Sequence, residues 1–377
     1  ALSSAASDVY KRQDIEKVQD LLEMAKRLKG PVLVHVVTKK GKGYKLAEKN
    51  PSKFHGTAPF DKKTGEVLKA KSKDYSKVFG EKLVKMASED KRIVAVTAAM
   101  RDGTGLKEFA EKFPDRFFDV GIAEQHALGL IAGMARAGLK PVLPIYSSFL
   151  QRGYDQIIHD IALSGIPVTV CIDRAGIVGN DGETHQGIFD LSFLSSIPNI
   201  VIMAPKNFEE LDKMLEFGVN LDKPVFIRYP RGGENFSFES TEDIELGKAE
   251  IVQEGTDLSI IAIGNMLGRA EEVASLLPEK SVEIINARFL KPLDEETILN
   301  SIRKTGYCIT IEDNLLKGGL GSAVVEAVNK SDIQDVKIKN FGYDDTFVEH
   351  GTVKELEDKY GLSAEKISGK LFTFTEM

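Results

Sequence analysis

The chain has 377 residues, of which 42% are hydrophobic and 28% charged, so it is long enough for two or three domains with separate hydrophobic cores. A net charge of −7 and a pI near 5.6 argue against a general nucleic-acid surface, although a local basic pocket for an anionic substrate stays compatible with them. The two cysteines lie far apart in the sequence, which indicates neither a disulfide framework nor a zinc site. No apolar run approaches the roughly 18 residues of a membrane span. We therefore expect a cytoplasmic protein without nucleic-acid or membrane partners.

The N-terminal part of the chain predicts a partial α/β unit followed by a connection. Residues 1–13 are small and polar without periodicity, so we expect a non-native or disordered tail there. Residues 14–38 predict an amphipathic helix, a Gly-Pro break and a strand of the buried type, PVLVHVV, which we interpret as the remnant of a larger domain. Residues 39–73 are rich in Lys, Gly and Pro and are expected to be a linker.

Two doubly wound α/β domains are predicted after this linker. In residues 74–236, six strand-like runs alternate mostly with helical stretches, a pattern typical of a mainly parallel sheet with helices on both faces. In residues 248–377, four further strand-like runs repeat the alternation. The acidic, irregular segment between the two regions is the expected domain linker.

The segment DVGIAEQHALGLIAGMARAG, residues 119–138, places one carboxylate, Glu124, at the start of a helix of mainly small and apolar residues. A strand-like run precedes it and Gly121 interrupts the pattern, so Glu124 is expected at the carboxyl end of a strand, where open α/β sheets bind ligands. An acid that only complements the helix dipole is the alternative. We favour a functional carboxylate that shares or passes a proton.

Other polar side chains follow further strands of the same predicted sheet. Besides the strand before Glu124, Tyr146 ends a second strand, Asp173 and Arg174 end a third, and Arg228 and Arg231 lie at the end of a fourth. Because guanidinium groups match phosphate and carboxylate groups in shape and charge, this combination indicates a cleft for a small anionic substrate.

The loop DRAGIVGNDGETHQG, residues 173–187, combines four glycines with ionisable side chains, which favours a binding loop over a simple connection. Within it, His185 is able to move protons near neutral pH. His55 lies in a segment punctuated by Pro and Gly that is able to fold over a cleft. The GGLG sequence at 318–321 precedes a helix but lacks a complete nucleotide-binding pattern, so helix packing is the preferred explanation.

Seven segments of the chain resemble the motifs of a known enzyme family. The segments GPVLVHVVTKKGKGY, KFHG, DVGIAEQHA, YSSFLQRGYDQ, DRAGIVGNDGETHQG, RYPRG and ARFLKPLD resemble, in the same order, motifs of the 1-deoxy-D-xylulose-5-phosphate synthases, thiamine-diphosphate enzymes of the transketolase superfamily. The resemblance extends from Asp14 to the C-terminus. It implies a pyrimidine-binding domain and a C-terminal domain of the transketolase type.

The resemblance also implies how the cofactor binds. Glu124 resembles the glutamate that hydrogen-bonds N1′ of the aminopyrimidine of thiamine diphosphate and promotes its imino tautomer. Phe149 resembles the aromatic residue that stacks on the pyrimidine ring, and Ile122 is a further expected cofactor contact.

For the substrates, the resemblance implies condensation of pyruvate with D-glyceraldehyde 3-phosphate to 1-deoxy-D-xylulose 5-phosphate and carbon dioxide, a step towards isoprenoids, thiamine and pyridoxal. His55 and His185 resemble histidines that assist proton transfer. The residues expected to hold the phosphorylated aldehyde are Tyr146, Arg152, Arg174, Asp181, His185, Arg228 and Arg231.

One part of the family pattern is missing. Family members ligate Mg²⁺ through a GDG motif and a following Asn in a preceding domain, whereas the NDG at 180–182 belongs to the acceptor loop, so no metal ligand is assigned in this chain. We therefore expect the chain alone to bind the cofactor poorly and to be inactive. The alternatives are the pyrimidine-binding subunit of a split transketolase or 2-oxo acid dehydrogenase, and a non-catalytic dimerisation module. The resemblance further implies a homodimer in a bacterial cytoplasm.

Overall fold

The computed structural model describes residues 10–11, 14–51, 53–54, 57, 59–68, 73–234, 236 and 243–375. Contacts divide the chain into two compact units, residues 1–72 and residues 73–377. Among the helices of the described residues, none is both long and apolar enough to cross a membrane.

The first unit is small and only partly matches its prediction. Its elements are β1 (Tyr10–Lys11), α1 (Ile15–Arg27), β2 (Val36–Val37) and α2 (Lys45–Lys49). The amphipathic helix is present, but the predicted buried strand is reduced to β2, and Leu33 is 79% exposed. Among the described residues, β2 pairs with β1 alone, a segment that we expected to be unstructured, and a two-residue neighbour cannot bury both faces of a strand. The predicted linker also contains α2 and a bridge between Phe60 and Val67.

The second unit contains twelve strands and twelve α-helices among its described residues. The strands are β3 (Ile93–Thr97), β4 (Phe117–Asp119), β5 (Lys140–Tyr146), β6 (Thr169–Asp173), β7 (Val201–Met203), β8 (Val225–Arg228), β9 (Glu250–Gln253), β10 (Leu258–Ala262), β11 (Val282–Asn286), β12 (Phe289–Lys291), β13 (Tyr307–Leu315) and β14 (Lys337–Tyr343). The helices are α3 (Tyr75–Glu89), α4 (Lys107–Lys112), α5 (Glu124–Arg136), α6 (Ser147–Leu150), α7 (Tyr154–Gln156), α8 (Asp190–Ser195), α9 (Phe208–Asn220), α10 (Met266–Ser275), α11 (Glu295–Thr305), α12 (Leu320–Lys330), α13 (Val353–Lys359) and α14 (Ala364–Thr375).

A seven-stranded sheet in the order β12-β7-β8-β6-β5-β3-β4 forms the first layer. All of its pairs are parallel except that of β12 with β7. Alternate residues enter two different cores: Leu143 and Ile145 pack in one, and Val142 packs in the other. Both faces are therefore buried, which explains the nearly continuous apolar runs of these strands and confirms the doubly wound α/β prediction.

A five-stranded sheet in the order β14-β13-β10-β11-β9 forms the second layer. Four of its strands are parallel, and β9, which the sequence did not predict, pairs antiparallel with β11. Ile261, Ile285 and Cys308 share one core with Leu143 and Ile145 of the first sheet. The two sheets therefore belong to one packed structure.

A buried ionic cluster lies where the chain passes from β11 of the second sheet to β12 of the first. Arg288 donates through Nε to Glu210 Oε1 at 2.8 Å, and Lys206 Nζ lies 2.6 Å from Glu250 Oε2. Asn286 donates to both Glu210 and Glu250. Because these five side chains come from both sheet regions and each of their charges has a partner, the cluster fixes the position of one region against the other.

The GGLG sequence has a packing role. The backbone N–H groups of Leu320 and Gly321 donate to the carboxylate of Glu312 at 2.8 Å, so a side chain of the protein already occupies the N-terminus of α12. Glu312 is fully buried, and burial raises the pKa of this carboxyl to about 8.

Candidate functional site

The predicted polar residues lie at one edge of the seven-stranded sheet. β4, β3, β5, β6 and β8 are consecutive parallel neighbours, so their carboxyl ends meet at the same edge. The side chains that begin or follow these ends are Glu124, Tyr146, Asp173, Arg174, Arg228 and Arg231. Open α/β sheets place ligands at this edge.

Glu124 is the first residue of α5 and is 4% exposed. Arg152 donates through Nη1 to Glu124 Oε1 at 2.6 Å, while Oε2 has no hydrogen-bond partner within the described part of the chain. Ala127 and Leu128 in the following turn are fully buried, so the first turns of α5 after Glu124 form an apolar wall. One oxygen is thus held by the protein and the other is available to a ligand donor.

Phe149 connects this carboxylate to the rest of the edge. Its ring centroid lies 5.3 Å from the guanidinium carbon of Arg152 and 5.5 Å from the ring of Tyr146. The ring of His185 is also 5.5 Å away, at an interplanar angle of 63°. Side chains from the strand end, the helix and the loop therefore converge on one aromatic ring.

Two arginines approach a single carboxylate in the loop. Arg231 donates through Nη1 to Asp181 Oδ1 at 2.7 Å, and Arg174 Nε lies 3.7 Å from Asp181 Oδ2. Arg231 also donates to the carbonyl of Val178 at 3.4 Å. Guanidinium groups arranged around one anion form a suitable site for a phosphate group, because a guanidinium combines positive charge with several N–H donors.

The sheet edge holds Arg174 in an unusual conformation. Its φ is 59°, in the left-handed region, and its Nη1 donates to the carbonyl of Gly103 at 3.1 Å. The guanidinium carbon lies 3.8 Å from the ring centroid of Tyr146, a cation–π distance. Asp173 behind it accepts a hydrogen bond from Ser76 at 2.7 Å. Such backbone strain persists only where the surrounding contacts determine it, and it is frequent at functional sites.

Burial changes the ionisation of two groups at this edge. Asp173 is 0% exposed, and burial raises the pKa of its carboxyl to about 6. Burial likewise raises the pKa of the Tyr146 phenol, so this group stays protonated and is able to donate a hydrogen bond.

Arg228 is bound to two other residues of the protein, Asp190 and Asp313. It is 3% exposed, its Nε donates to Asp190 Oδ2 at 2.7 Å, and its Nη2 donates to the carbonyl of Asp313 at 3.0 Å. Because these bonds occupy the guanidinium below the sheet edge, the geometry favours a supporting role over the expected contact with substrate.

Two expected site residues, Ile122 and His55, stay predictions, and two further residues join the site without having been expected. Ile122 is 81% exposed at the turn before α5, so its expected cofactor contact stays a prediction. His55 lies outside the described residues. Ser76 and the carbonyl of Gly103 belong to the site although nothing in their sequence context marks them, since they contribute through single hydrogen bonds to residues far away in the chain.

Comparison with known proteins identifies the domains of the chain and its family. The model of the transketolase pyrimidine-binding domain matches residues 71–234, and that of the transketolase C-terminal domain matches residues 247–367. The 1-deoxy-D-xylulose-5-phosphate synthase of Clostridium perfringens strain ATCC 13124 is 52% identical over 363 residues, which are 95% of this chain and 58% of that protein. The chain belongs to the 1-deoxy-D-xylulose-5-phosphate synthase family.

Other relatives extend this result. The synthase of Halothermothrix orenii is also 52% identical, over 94% of this chain and 57% of that protein. The chain thus spans somewhat more than half the length of the curated synthases that it matches.

Solved structures share the fold. A structure titled "Split gene transketolase, inactive beta4 tetramer" superposes with a TM-score of 0.74 at 29% identity and covers 80% of this chain and 98% of its own. An R525L mutant of the transketolase of Pichia stipitis gives a TM-score of 0.66 at 17% identity, over 81% of this chain and 46% of its own. The second likeness concerns the fold alone.

Proposed function

We propose that the chain provides the pyrimidine-binding and aldehyde-binding side chains of a thiamine-diphosphate-dependent synthase, which condenses pyruvate with D-glyceraldehyde 3-phosphate to 1-deoxy-D-xylulose 5-phosphate and carbon dioxide. One observation carries the proposal: a buried helix-terminal carboxylate and a pair of arginines belong to one continuous cluster through Phe149 and Tyr146. The family relationship supports the same reaction. Its product feeds isoprenoid, thiamine and pyridoxal synthesis.

The residues present fit thiamine diphosphate. Glu124 keeps Oε2 available beside an apolar helix, and the ring of Phe149 offers a flat apolar surface for the aminopyrimidine. When bound, this cofactor supplies the nucleophilic carbon and the electron sink for decarboxylation of a 2-oxo acid. The family chemistry also requires Mg²⁺, and we assign none of the described residues as its ligand.

Each side chain then has a defined task. Glu124 holds and exchanges a proton with the aminopyrimidine nitrogen, while its bond to Arg152 fixes the orientation of the carboxylate. The apolar wall of α5 excludes water from that exchange. His185, beside Phe149, assists proton transfer at the substrate carbonyl, and His55 is proposed for the same task by family resemblance.

The arginine pair binds the acceptor. Arg174 and Arg231 hold the phosphate of the aldehyde, and Tyr146 donates its hydroxyl proton in a hydrogen bond to it. Asp181 keeps the two guanidiniums together before the phosphate arrives and is then free to accept a hydrogen bond from a substrate hydroxyl.

We also propose that the protein works as a homodimer in a bacterial cytoplasm. Both cysteines are free and buried, which suits a reducing compartment, and the synthases that it resembles come from bacteria. Sedimentation velocity of the purified chain tests the oligomeric state.

The test of the activity is product formation. The chain is assayed with pyruvate, D-glyceraldehyde 3-phosphate, Mg²⁺ and thiamine diphosphate, with and without the N-terminal half of a family member. Product in either assay, lost in the Glu124→Gln variant, supports the proposal. A folded chain that binds the supplied half and yields no product contradicts it.

A subunit of a split enzyme is the second candidate. The observation behind it is the split-gene transketolase structure, of which this chain covers 98% at 29% identity, well below the 52% identity to the synthase. A partner chain that co-purifies and confers transketolase or 2-oxo acid dehydrogenase activity, but no synthase activity, would support it. A folded assembly without any of these activities would instead favour the non-catalytic dimerisation module.

A further inference from the structure

The acceptor loop, residues 174–187, carries three of the proposed aldehyde-binding side chains, yet little of its own backbone forms regular structure. Gly176 and Gly187 form an isolated antiparallel bridge in which each N–H donates to the carbonyl of the other at 2.7 Å. This bridge closes the base of the loop. Contacts with the C-terminal region fix residues 176–186 between those two glycines.

The first of these contacts comes from Asp313, near the carboxyl end of β13. Its carboxylate accepts the backbone N–H of Ile177, with distances of 3.2 and 3.3 Å to the two oxygens, and the residue is 3% exposed. Gly176 has a φ of 75°, and a Cβ there would lie 1.7 Å from Asp313 Oδ2. Only glycine permits this approach, so the backbone is shaped around the carboxylate.

The second contact is made by Gln186, which is 3% exposed. Its Oε1 accepts the N–H of Val178 at 2.8 Å, and its Nε2 donates to the carbonyl of Glu349 at 2.9 Å. Gly179 has a φ of 63° and lies so close to the C-terminal backbone that a Cβ would meet the carbonyl oxygen of Gly351 at 2.9 Å. The loop therefore rests on the segment before α13.

Asp313 is itself held in place. Its carbonyl accepts from Arg228, whose guanidinium is paired with Asp190 at the start of α8. The buried carboxylate of Asp313 accepts from the loop backbone and has no exposed conformation into which to relax, so its position determines that of the loop.

We propose that Asp313 is a positioning residue for the acceptor aldehyde: from the C-terminal region it fixes the backbone that presents Arg174, Asp181 and His185. This inference rests on the proposed function. Glu124 and Phe149 lie on α5 and α6, outside the loop, so a displaced loop should weaken aldehyde binding and leave the pyruvate-binding step nearly intact.

The first experiment measures hydrogen exchange of the loop amides in the full chain. Asp313→Ala removes the acceptor of the Ile177 N–H, Asp313→Asn retains a carbonyl oxygen there, and Gln186→Met removes the second contact at equal length. The matched control is Asp332→Asn, which alters an aspartate on the surface whose side chain is 86% exposed. We expect exchange across residues 176–186 to accelerate about tenfold or more in Asp313→Ala and Gln186→Met, with partial rescue in Asp313→Asn and no change in the control.

The second experiment compares Michaelis constants under the conditions in which the wild type forms product. In Asp313→Ala we expect KM for D-glyceraldehyde 3-phosphate to rise about tenfold or more, while KM for pyruvate stays within about twofold. A fall in kcat is expected as well, because His185 lies on the same loop. Partial rescue in Asp313→Asn is expected again. A merely structural role would raise both KM values together.

The outcomes separate the two claims. Unchanged exchange in Asp313→Ala and Gln186→Met overturns the positioning inference, as does faster exchange with an unaltered aldehyde KM. A wild-type protein without synthase activity refutes the proposed function alone. In that case the same experiments use direct binding of D-glyceraldehyde 3-phosphate by calorimetry, and equal affinity in wild type and Asp313→Ala overturns the inference.

Discussion

Replacing Arg228 by methionine should destabilise the protein strongly, while it should weaken aldehyde binding much less than replacement of Arg231 does. Arg228 ends β8 and Arg231 lies three residues later, but the Arg228 side chain is 2% exposed and that of Arg231 is 42% exposed. In Arg228→Met the carboxylate of Asp190, itself 0% exposed, loses its cation. Removing one partner of a buried ion pair costs about 3–5 kcal/mol of unfolding free energy.

The assay is urea unfolding followed by circular dichroism at neutral pH. With an m-value of roughly 3 kcal/mol/M, a loss of 3–5 kcal/mol lowers the midpoint by about 1–1.7 M. The matched control is Arg231→Met, whose exposed ion pair with Asp181 is worth about 0–1 kcal/mol. Its aldehyde KM should rise by roughly 10–100-fold, the equivalent of one charged hydrogen bond of about 1.5–3 kcal/mol.

A double variant separates the loss of charge pairing from other effects. Arg228→Met combined with Asp190→Leu removes both buried charges and should recover more than half of the lost stability, because an apolar pair of similar volume often replaces a buried ion pair without cost. The reasoning is refuted if Arg228→Met unfolds within about 1 kcal/mol of wild type. It is refuted equally if the aldehyde KM of Arg228→Met, measured in the folded protein, rises as much as that of Arg231→Met.

Three further predictions concern single side chains. Glu124→Gln should lower kcat about 10²–10⁴-fold in the product assay with an unaltered urea midpoint, and retained activity would contradict its role in proton exchange. Phe149→Leu should weaken thiamine diphosphate binding by up to about tenfold in calorimetry, because an aromatic contact of about 0.5–1.5 kcal/mol is lost, whereas unchanged affinity would exclude stacking. Burial raises the pKa of Glu312 to about 8, above its ordinary value near 4.5. The protonated carboxyl group therefore adds to the free energy of unfolding at low pH, and this stabilisation is lost as the pH rises through 8. Glu312→Gln should therefore gain in urea midpoint relative to wild type between pH 5 and pH 8, and a constant difference would contradict the shifted pKa.

The strands of the large unit could be predicted because burial on both faces requires continuous apolar runs, and these are visible locally. The same signal failed for residues 31–35, since an apolar run does not reveal whether neighbouring strands cover it. β12 escaped prediction for a different reason. It contains Lys291 and is followed by Pro292, and its partner β7 lies more than 80 residues earlier in the chain.

The candidate site was predictable only to the level of residue type and strand end. From the sequence, both Arg228 and Arg231 were expected to bind the substrate, because both are arginines at the end of one strand. The two differ because Asp190, 38 residues away in the sequence from Arg228, forms a buried ion pair with Arg228. Asp313 likewise looks like the end of a buried strand, and its partner is a backbone N–H 136 residues distant, which leaves no side-chain signature.

The crossing of β12 has a consequence for anyone who divides this protein at its apparent domain boundary. A cut between residues 237 and 247 would remove β12 from β7 and leave Val201–Met203, three buried apolar residues, with an unpaired row of N–H and C=O groups. Exposed edges of this kind recruit strands from other molecules. Each half should therefore aggregate when expressed alone, and co-expressed halves should reassemble by inserting β12 in trans, in the manner of a domain swap.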